Sequence, residues 1–187
     1  MPPKVKITKE DIVETAVQLV RVRGEQAINA RAIATALNCS TQPIFSNFVT
    51  MDELQRSVII SAYDRYLGFI KSEVESGKYP KYKSFGMAYI RFAKEEKELF
   101  KLLFMRDRST EEGVASIDFD DSVEMIMNAN GFTREKATLM HLEMWSCVHG
   151  IATMFVTSFL SLDWELISDM LTDVYQGIRI RHLSEEN

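Results

Sequence analysis

The chain is 187 residues long with a formal net charge of −5 at pH 7: long enough to bury a sizeable core, too acidic to bind nucleic acid with its whole surface. Its apolar fraction of 46% and charged fraction of 26% are those of a globular protein and exclude a disordered or fibrous chain. Four prolines and eight glycines leave little room for long linkers, and the two cysteines, Cys39 and Cys147, fit no metal or disulfide framework.

Apolar residues recur mostly every three or four positions, so the whole chain reads as helix. Helix 1 starts at Thr8, an N-cap with Asp11 three residues on in a near capping box, and with Ile7 and Ile12 placed as a hydrophobic staple. Ile12, Ala16, Leu19 and Val20 form its apolar stripe, and Gly24 stands just past its end. A short helix over 30–37 follows, capped by Asn29, with Ile33, Ala34 and Leu37 inward. Asn38 suits a left-handed turn. Ser40 then caps a third helix over 41–47, with Pro43 in its first turn. Thr50, Glu53 and the Val49/Leu54 staple open a fourth helix over 51–75, stopped by Gly77 and Pro80. Further helices are predicted over 81–94, 95–104, 118–128, 133–159 and 163–180, with a polar loop over 107–116 and an Asn130-Gly131 turn. His182 falls in a frayed tail beyond the last of them.

Two short helices joined by three or four residues, the second with a polar N-terminus, have the form of a helix-turn-helix. In such a motif the second helix enters the major groove and offers its N-terminal residues to the base edges. Inward residues are Ile33, Ala34, Leu37, Ile44 and Phe48. Outward are Thr41, Gln42, Pro43, Phe45, Ser46 and Asn47, which with Arg31 make up the expected DNA-binding set. Glutamine can pair with adenine, threonine with several bases, and apolar atoms with a thymine methyl. Residues 1–50 carry six Lys/Arg against four acids, and residues 51–187 carry sixteen against twenty-three, so the basic module sits on an acidic body. Lys4, Lys6 and Lys9 belong to that basic start, where a solvated tail is the plainer reading than phosphate steering.

Taken in register, Ile12, Ala16, Leu19, Gly24, Ile33-Ala34, Ser40, Ile44-Phe45, Phe48 and Asp52-Glu53-Leu54 resemble the DNA-binding domain of TetR-type transcription regulators. YIRFAKEEKELFKLLF (89–104) and MWSCVHGIATMF (144–155) resemble the C-terminal domain of one TetR subgroup, with its Trp…His-Gly signature at Trp145, His149 and Gly150. The resemblance implies a homodimer built from the last two helices, a C-terminal ligand pocket, and repression relieved by ligand. Four positions depart from the family pattern. Phe45 replaces a phosphate-binding Tyr, Asn47 a frequent His, Met51 a usual Lys, and Asn38 a usual Gly. Fewer phosphate contacts lower affinity and flatten its salt dependence.

In the body, ten Met and eleven Phe can fill irregular apolar space. Phe92, Leu99, Leu103, Met125, Trp145, His149 and Met154 are the expected pocket-lining residues, although plain core is the commoner fate of any one of them. His141, Trp145 and His149 share one helical face near Glu143 and Cys147, but this spacing matches no metal motif, and packing or pocket lining is the favoured reading. Ser146, Gly150 and Thr153 are small residues that let another helix approach. Nothing has the form of a nucleophile elbow, a phosphate loop or a zinc motif, so no catalytic residue, metal or cofactor is expected. The first residues lack a signal-peptide core, and the longest weakly polar run, 147–162, is shorter than the ~20 residues that span a bilayer. A cytoplasmic protein without membrane contact follows.

The expected fold is therefore all-α: a three-helix helix-turn-helix domain over 1–50 and a six-helix ligand-binding and dimerisation domain over 51–187. The expected function is a DNA-binding regulator, a repressor released from a palindromic double-stranded operator by a small apolar or amphipathic effector. The alternative is a helical protein-interaction module without a small-molecule effector.

Overall fold

The computed structural model describes residues 7–107 and 119–184. The expected loop at 107–116 lies, apart from Asp107, outside the described residues, as do Lys4 and Lys6. The described residues form α1 (Lys9–Arg23), a 3-10 turn (Glu25–Ala27), α2 (Ala30–Ala36), α3 (Gln42–Asn47), α4 (Met51–Glu75), α5 (Lys81–Glu95), α6 (Lys97–Phe104), α7 (Phe119–Asn130), α8 (Arg134–Val156) and α9 (Trp164–Ser184). Among them there is no strand, so the fold is all-α as expected. No described helix is long and apolar enough to cross a membrane. Two compact units result: Met1–Gly68 with Glu96–Arg106, and Phe69–Glu95 with Asp107–Asn187. The division falls inside α4, between Gly68 and Phe69.

In the first unit, local chemistry sets the helix ends. The Thr8 hydroxyl accepts from the Asp11 N–H at 3.1 Å and the Asp11 carboxylate accepts from the Thr8 N–H at 2.9 Å, a reciprocal capping box. Those same bonds hold the Asp11 carboxyl below its usual pKa, the Thr8 backbone bond first. Gly24 ends α1 at φ 79°, ψ 179°, a backbone conformation only glycine adopts without strain. At α4 the Thr50 hydroxyl accepts from the Glu53 N–H at 3.1 Å, but the Glu53 carboxylate reaches one residue further back, to the Val49 N–H at 2.9 Å. The expected Val49/Leu54 staple does not form: Leu54 is fully buried, whereas Val49 is 89% exposed. With its N–H held by Glu53, Val49 has its side chain turned to solvent.

Ile12, Ala16, Val17 and Val20 of α1, Ile33 and Ala34 of α2, Ile44 of α3, Phe48, and Leu54, Val58 and Ala62 of α4 make up most of this unit's core. Helix α6 belongs to the same unit and packs against α1, burying Leu99, Phe100, Leu102 and Leu103. Glu96, just before α6, ties the unit together. Its carboxylate accepts from Arg21 Nε at 2.7 Å and Nη2 at 2.8 Å, and from Arg65 Nε at 3.0 Å. The side-chain bond to Glu96 raises the pKa of Arg21 above its usual value.

In the second unit α5 lies beside α8 and runs parallel to it, Tyr82 meeting His141 and Tyr89 meeting His149. Gly86 lets them close up: a Cβ there would stand 3.2 Å from Val148 and 3.6 Å from Leu171 of α9. Val123, Ile126, Phe132, Ala137 and Met140 form a cluster where α7 meets α8. Two expectations need correction here. Helix α8 ends at Val156 rather than Phe159, because Ser158 turns left-handed at φ 56° and its N–H returns to the Phe155 carbonyl at 3.1 Å. His182 lies not in a frayed tail but within α9, 1% exposed, where its Nε2 meets the Glu143 carboxylate at 3.1 Å and its carbonyl accepts from Lys136 at 2.8 Å. Asp163 starts α9 by accepting the Glu165 and Leu166 N–H groups.

Candidate functional site

Asn29 caps α2 by accepting the Ala32 N–H at 2.8 Å. The chain turns at Asn38, φ 50°, and the Cys39 N–H closes the turn on the Ala34 carbonyl at 2.9 Å. Helix α3 begins one residue later than expected, after Thr41 rather than Ser40, and no side chain caps it. Pro43 takes its first turn, where the missing N–H is harmless. Six residues are too few to hold a helix in water, so packing must hold this one. Ile44 and Phe48 are buried to 0% and 1% exposure and stabilise it by about 2–3 kcal/mol each. The Lys9 ammonium sits over the Phe48 ring, 4.6 Å from its centroid, and bonds Glu53 at 2.7 Å. The Glu53 carboxyl is held below its usual pKa, first by Lys9 and then by the Val49 N–H. Lys9 is thus tied to α4.

That burial leaves the opposite face of α3 to solvent. Arg31, Gln42, Phe45 and Ser46 are exposed, and Thr41, Pro43 and Asn47 are half-buried. Leu37, expected inward, is half-buried. Two outward side chains are engaged with their own helix: Ser46 donates to the Gln42 carbonyl at 2.9 Å and Asn47 to the Pro43 carbonyl at 2.7 Å. Among the described residues the Gln42 amide has no hydrogen bond. Arg31 is the sole Lys or Arg from residue 24 to residue 55.

The body residues divide between the units. Leu99 and Leu103 lie on α6 in the first unit; Phe92, Met125, Trp145, His149 and Met154 lie in the second. Phe92 is fully buried against Phe69, their ring centroids 5.3 Å apart, whereas Met125, His149 and Met154 are half-buried and Trp145 is exposed. Trp145 stacks on His149, 4.8 Å between centroids at 15°. Sequence reasoning missed the partners of the two histidines. The Tyr82 hydroxyl meets His141 Nδ1 and the Tyr89 hydroxyl meets His149 Nδ1, each at 2.9 Å. Tyr82 and Tyr89 are seven residues apart on α5, which puts both on one face, and that spacing was the available signal.

Burial sets the charge of these pairs. It pushes both tyrosine hydroxyls up in pKa, lowers His141 to about 4 and lowers His149. The tyrosines therefore keep their protons and the imidazoles are uncharged at neutral pH, so each pair is a hydrogen bond between neutral groups. Burial also raises the Cys147 thiol, which disfavours a thiolate there. Among the described residues no three His, Cys, Asp or Glu side chains converge as a metal ion requires. The arrangement offers hydrogen bonds and aromatic surface, not a nucleophile and its base.

Residues 82–174, from α5 into α9, match a family model described as the tetracyclin repressor-like C-terminal domain. No curated protein matches the chain in sequence. The solved structure of a TetR-family member from Streptomyces coelicolor A3 is similar to this chain, with a TM-score of 0.59 at 14% identity over 89% of this chain and 96% of that one. At that identity the likeness is one of fold.

Proposed function

Because the chain belongs to the TetR family through its C-terminal domain, we propose that it is a DNA-binding transcriptional regulator whose α2–α3 pair reads a palindromic operator as a homodimer. The observation that carries this is the two-faced α3. Ile44 on one side and Phe48 at its end anchor it in the core, and Gln42, Phe45 and Ser46 on the other side are presented to solvent.

Dimerisation through α8 and α9 is supported by Leu139 and Leu142 on α8 and Leu166 on α9, all large, apolar and exposed. A Cβ at Gly150 would meet nothing within 4 Å, which leaves room there for the backbone of a second helix. The effector reading rests on the second unit. The Trp145–His149–Tyr89 group joins an aromatic face to neutral polar atoms and suits a small amphipathic molecule. Such a ligand acts as an inducer if it binds one spacing of the two recognition helices better than the operator-bound spacing, with α4 as the connecting element. A repressor released in this way is the form of regulation proposed.

The test is a binding selection from genomic fragments with the purified full chain at two salt concentrations, read by sequencing. A recurring palindrome supports the reading. Weak, salt-labile binding without a recurring sequence would refute it and favour a protein-interaction role for the body.

A further inference from the structure

Resting on the DNA-binding reading above, we propose that Gln42 and Phe45 are the base-reading pair of this protein, and that they select an A·T step: the Gln42 amide pairs with adenine, and the Phe45 ring covers a thymine methyl on the neighbouring base pair. The argument begins with which outward side chains are available. Ser46 and Asn47 spend their donors on carbonyls of their own helix, and Asn47, Thr41 and Pro43 are half-buried. Gln42 and Phe45 remain: an exposed amide with no hydrogen bond among the described residues, and a ring 53% exposed.

Their spacing fits adjacent base pairs. Three residues apart, they share one helical face with a rise of about 4.5 Å between them. Successive base pairs of B-DNA are separated by about 3.4 Å.

The chemistry of these two side chains points to A·T. A guanine is most often read by the fork of an arginine or by a lysine on O6 and N7, and a cytosine by a carboxylate accepting from N4. Helix α3, with the sequence QPIFSN, has no basic and no acidic residue. An amide can satisfy adenine N6 and N7 together. A phenyl ring makes no hydrogen bond, so the only base feature it can distinguish in the major groove is the 5-methyl of thymine. An aromatic ring is poorly placed in water, and covering it with a methyl group removes apolar area from both.

The experiment uses the full-length chain and the operator recovered by the genomic selection. Dissociation constants are measured on that operator and on copies in which each thymine in turn is replaced by uracil, which deletes the methyl and nothing else. For the wild type one thymine per half-site, within the stretch facing α3, should lose about fourfold in affinity as uracil, the worth of one buried methyl group. In Phe45→Ala the thymine and uracil versions should bind alike; Phe45→Leu, which keeps apolar contact, should still discriminate. Phe45 is exposed, so neither variant threatens folding. A recurring palindrome whose thymines are all silent to uracil substitution, or whose half-sites lack an A·T step, overturns this assignment and leaves the DNA-binding reading standing. If no sequence recurs, that reading fails, and this one with it.

Discussion

Glu96 is the residue whose loss the first unit should feel most among its charged groups. Its side chain is 6% exposed and accepts three N–H bonds from two arginines, at 2.7, 2.8 and 3.0 Å. Replacing it with glutamine keeps the shape, removes the charge and turns one acceptor into a donor facing guanidinium N–H groups. Breaking a buried ion pair by removing one partner costs roughly 3–5 kcal/mol. The arginine side chains, however, are 32% and 38% exposed and can return their freed donors to water. That lowers the expected cost of Glu96→Gln to about 2–3 kcal/mol. For a chain of this size each kcal/mol shifts the midpoint of thermal unfolding by roughly 2–4 °C, so a fall of about 5–10 °C is expected. The control is Glu95→Gln one residue away: its side chain is half exposed and, among the described residues, pairs along its own helix with Arg91, and its loss should cost about 0.5 kcal/mol or less. Calorimetry on the two variants and the wild type decides. If Glu96→Gln melts within 2 °C of the wild type, or no lower than Glu95→Gln, the carboxylate does not hold α1, α4 and α6 together.

Two further outcomes follow from the backbone and from the buried imidazole. Gly24→Ala puts a side chain where φ is 79°, with its Cβ 2.8 Å from Gln26 Oε1 and 2.9 Å from Glu98 Oε2. Those side-chain ends can move but the backbone cannot, so a loss of about 1–3 kcal/mol is expected from urea unfolding, and an unchanged midpoint would contradict it. His141 has a folded pKa of about 4 against an ordinary 6.5, so the unfolded chain takes up the proton first. The stability this contributes is complete above pH 6.5 and is lost as pH falls from 6.5 towards 4, about 2 kcal/mol in all once the residual water around the ring is allowed for. His141→Gln should flatten the stability profile between those two pH values, and an equally steep fall in the variant would place the titration elsewhere.

The helix ends were legible because they are local. Thr8 with Asp11, Asn29, Thr50 and Thr133 each reach a backbone N–H two to four residues away, and a pattern of that length survives in the sequence whatever the fold does. One staple and one helix end were misread. Val49 is exposed and gives its N–H to Glu53, and Ser158 stops α8 although nothing in its chemistry asks for a left-handed residue. What lay beyond the sequence is tertiary. The run KELFKLLF announces an amphipathic helix but not that its apolar face belongs to α1. The pattern of His182 cannot show that Glu143 and Lys136 hold it in place. The spacing of seven on α5 and eight on α8 becomes a pair of Tyr–His bonds only once the two helices are known to lie parallel.

The proposed reading interface also bears on how this chain would separate its operator from the rest of a genome. Non-specific affinity comes from cations at phosphates and specificity from base edges and DNA shape. Between residues 24 and 55 the chain supplies one cation, Arg31, while Lys9 is tied to Glu53 and Arg21 to Glu96. The body from residue 51 onward carries seven more acids than bases and repels phosphate. If the chain reads DNA as proposed, base contact should provide a large share of the affinity. On that account the substitutions at Phe45 and Met51 that remove a phosphate hydroxyl and a phosphate cation do not argue against DNA binding. Under the proposal they would shift its basis from charge to the contact of one amide and one ring with the floor of the major groove.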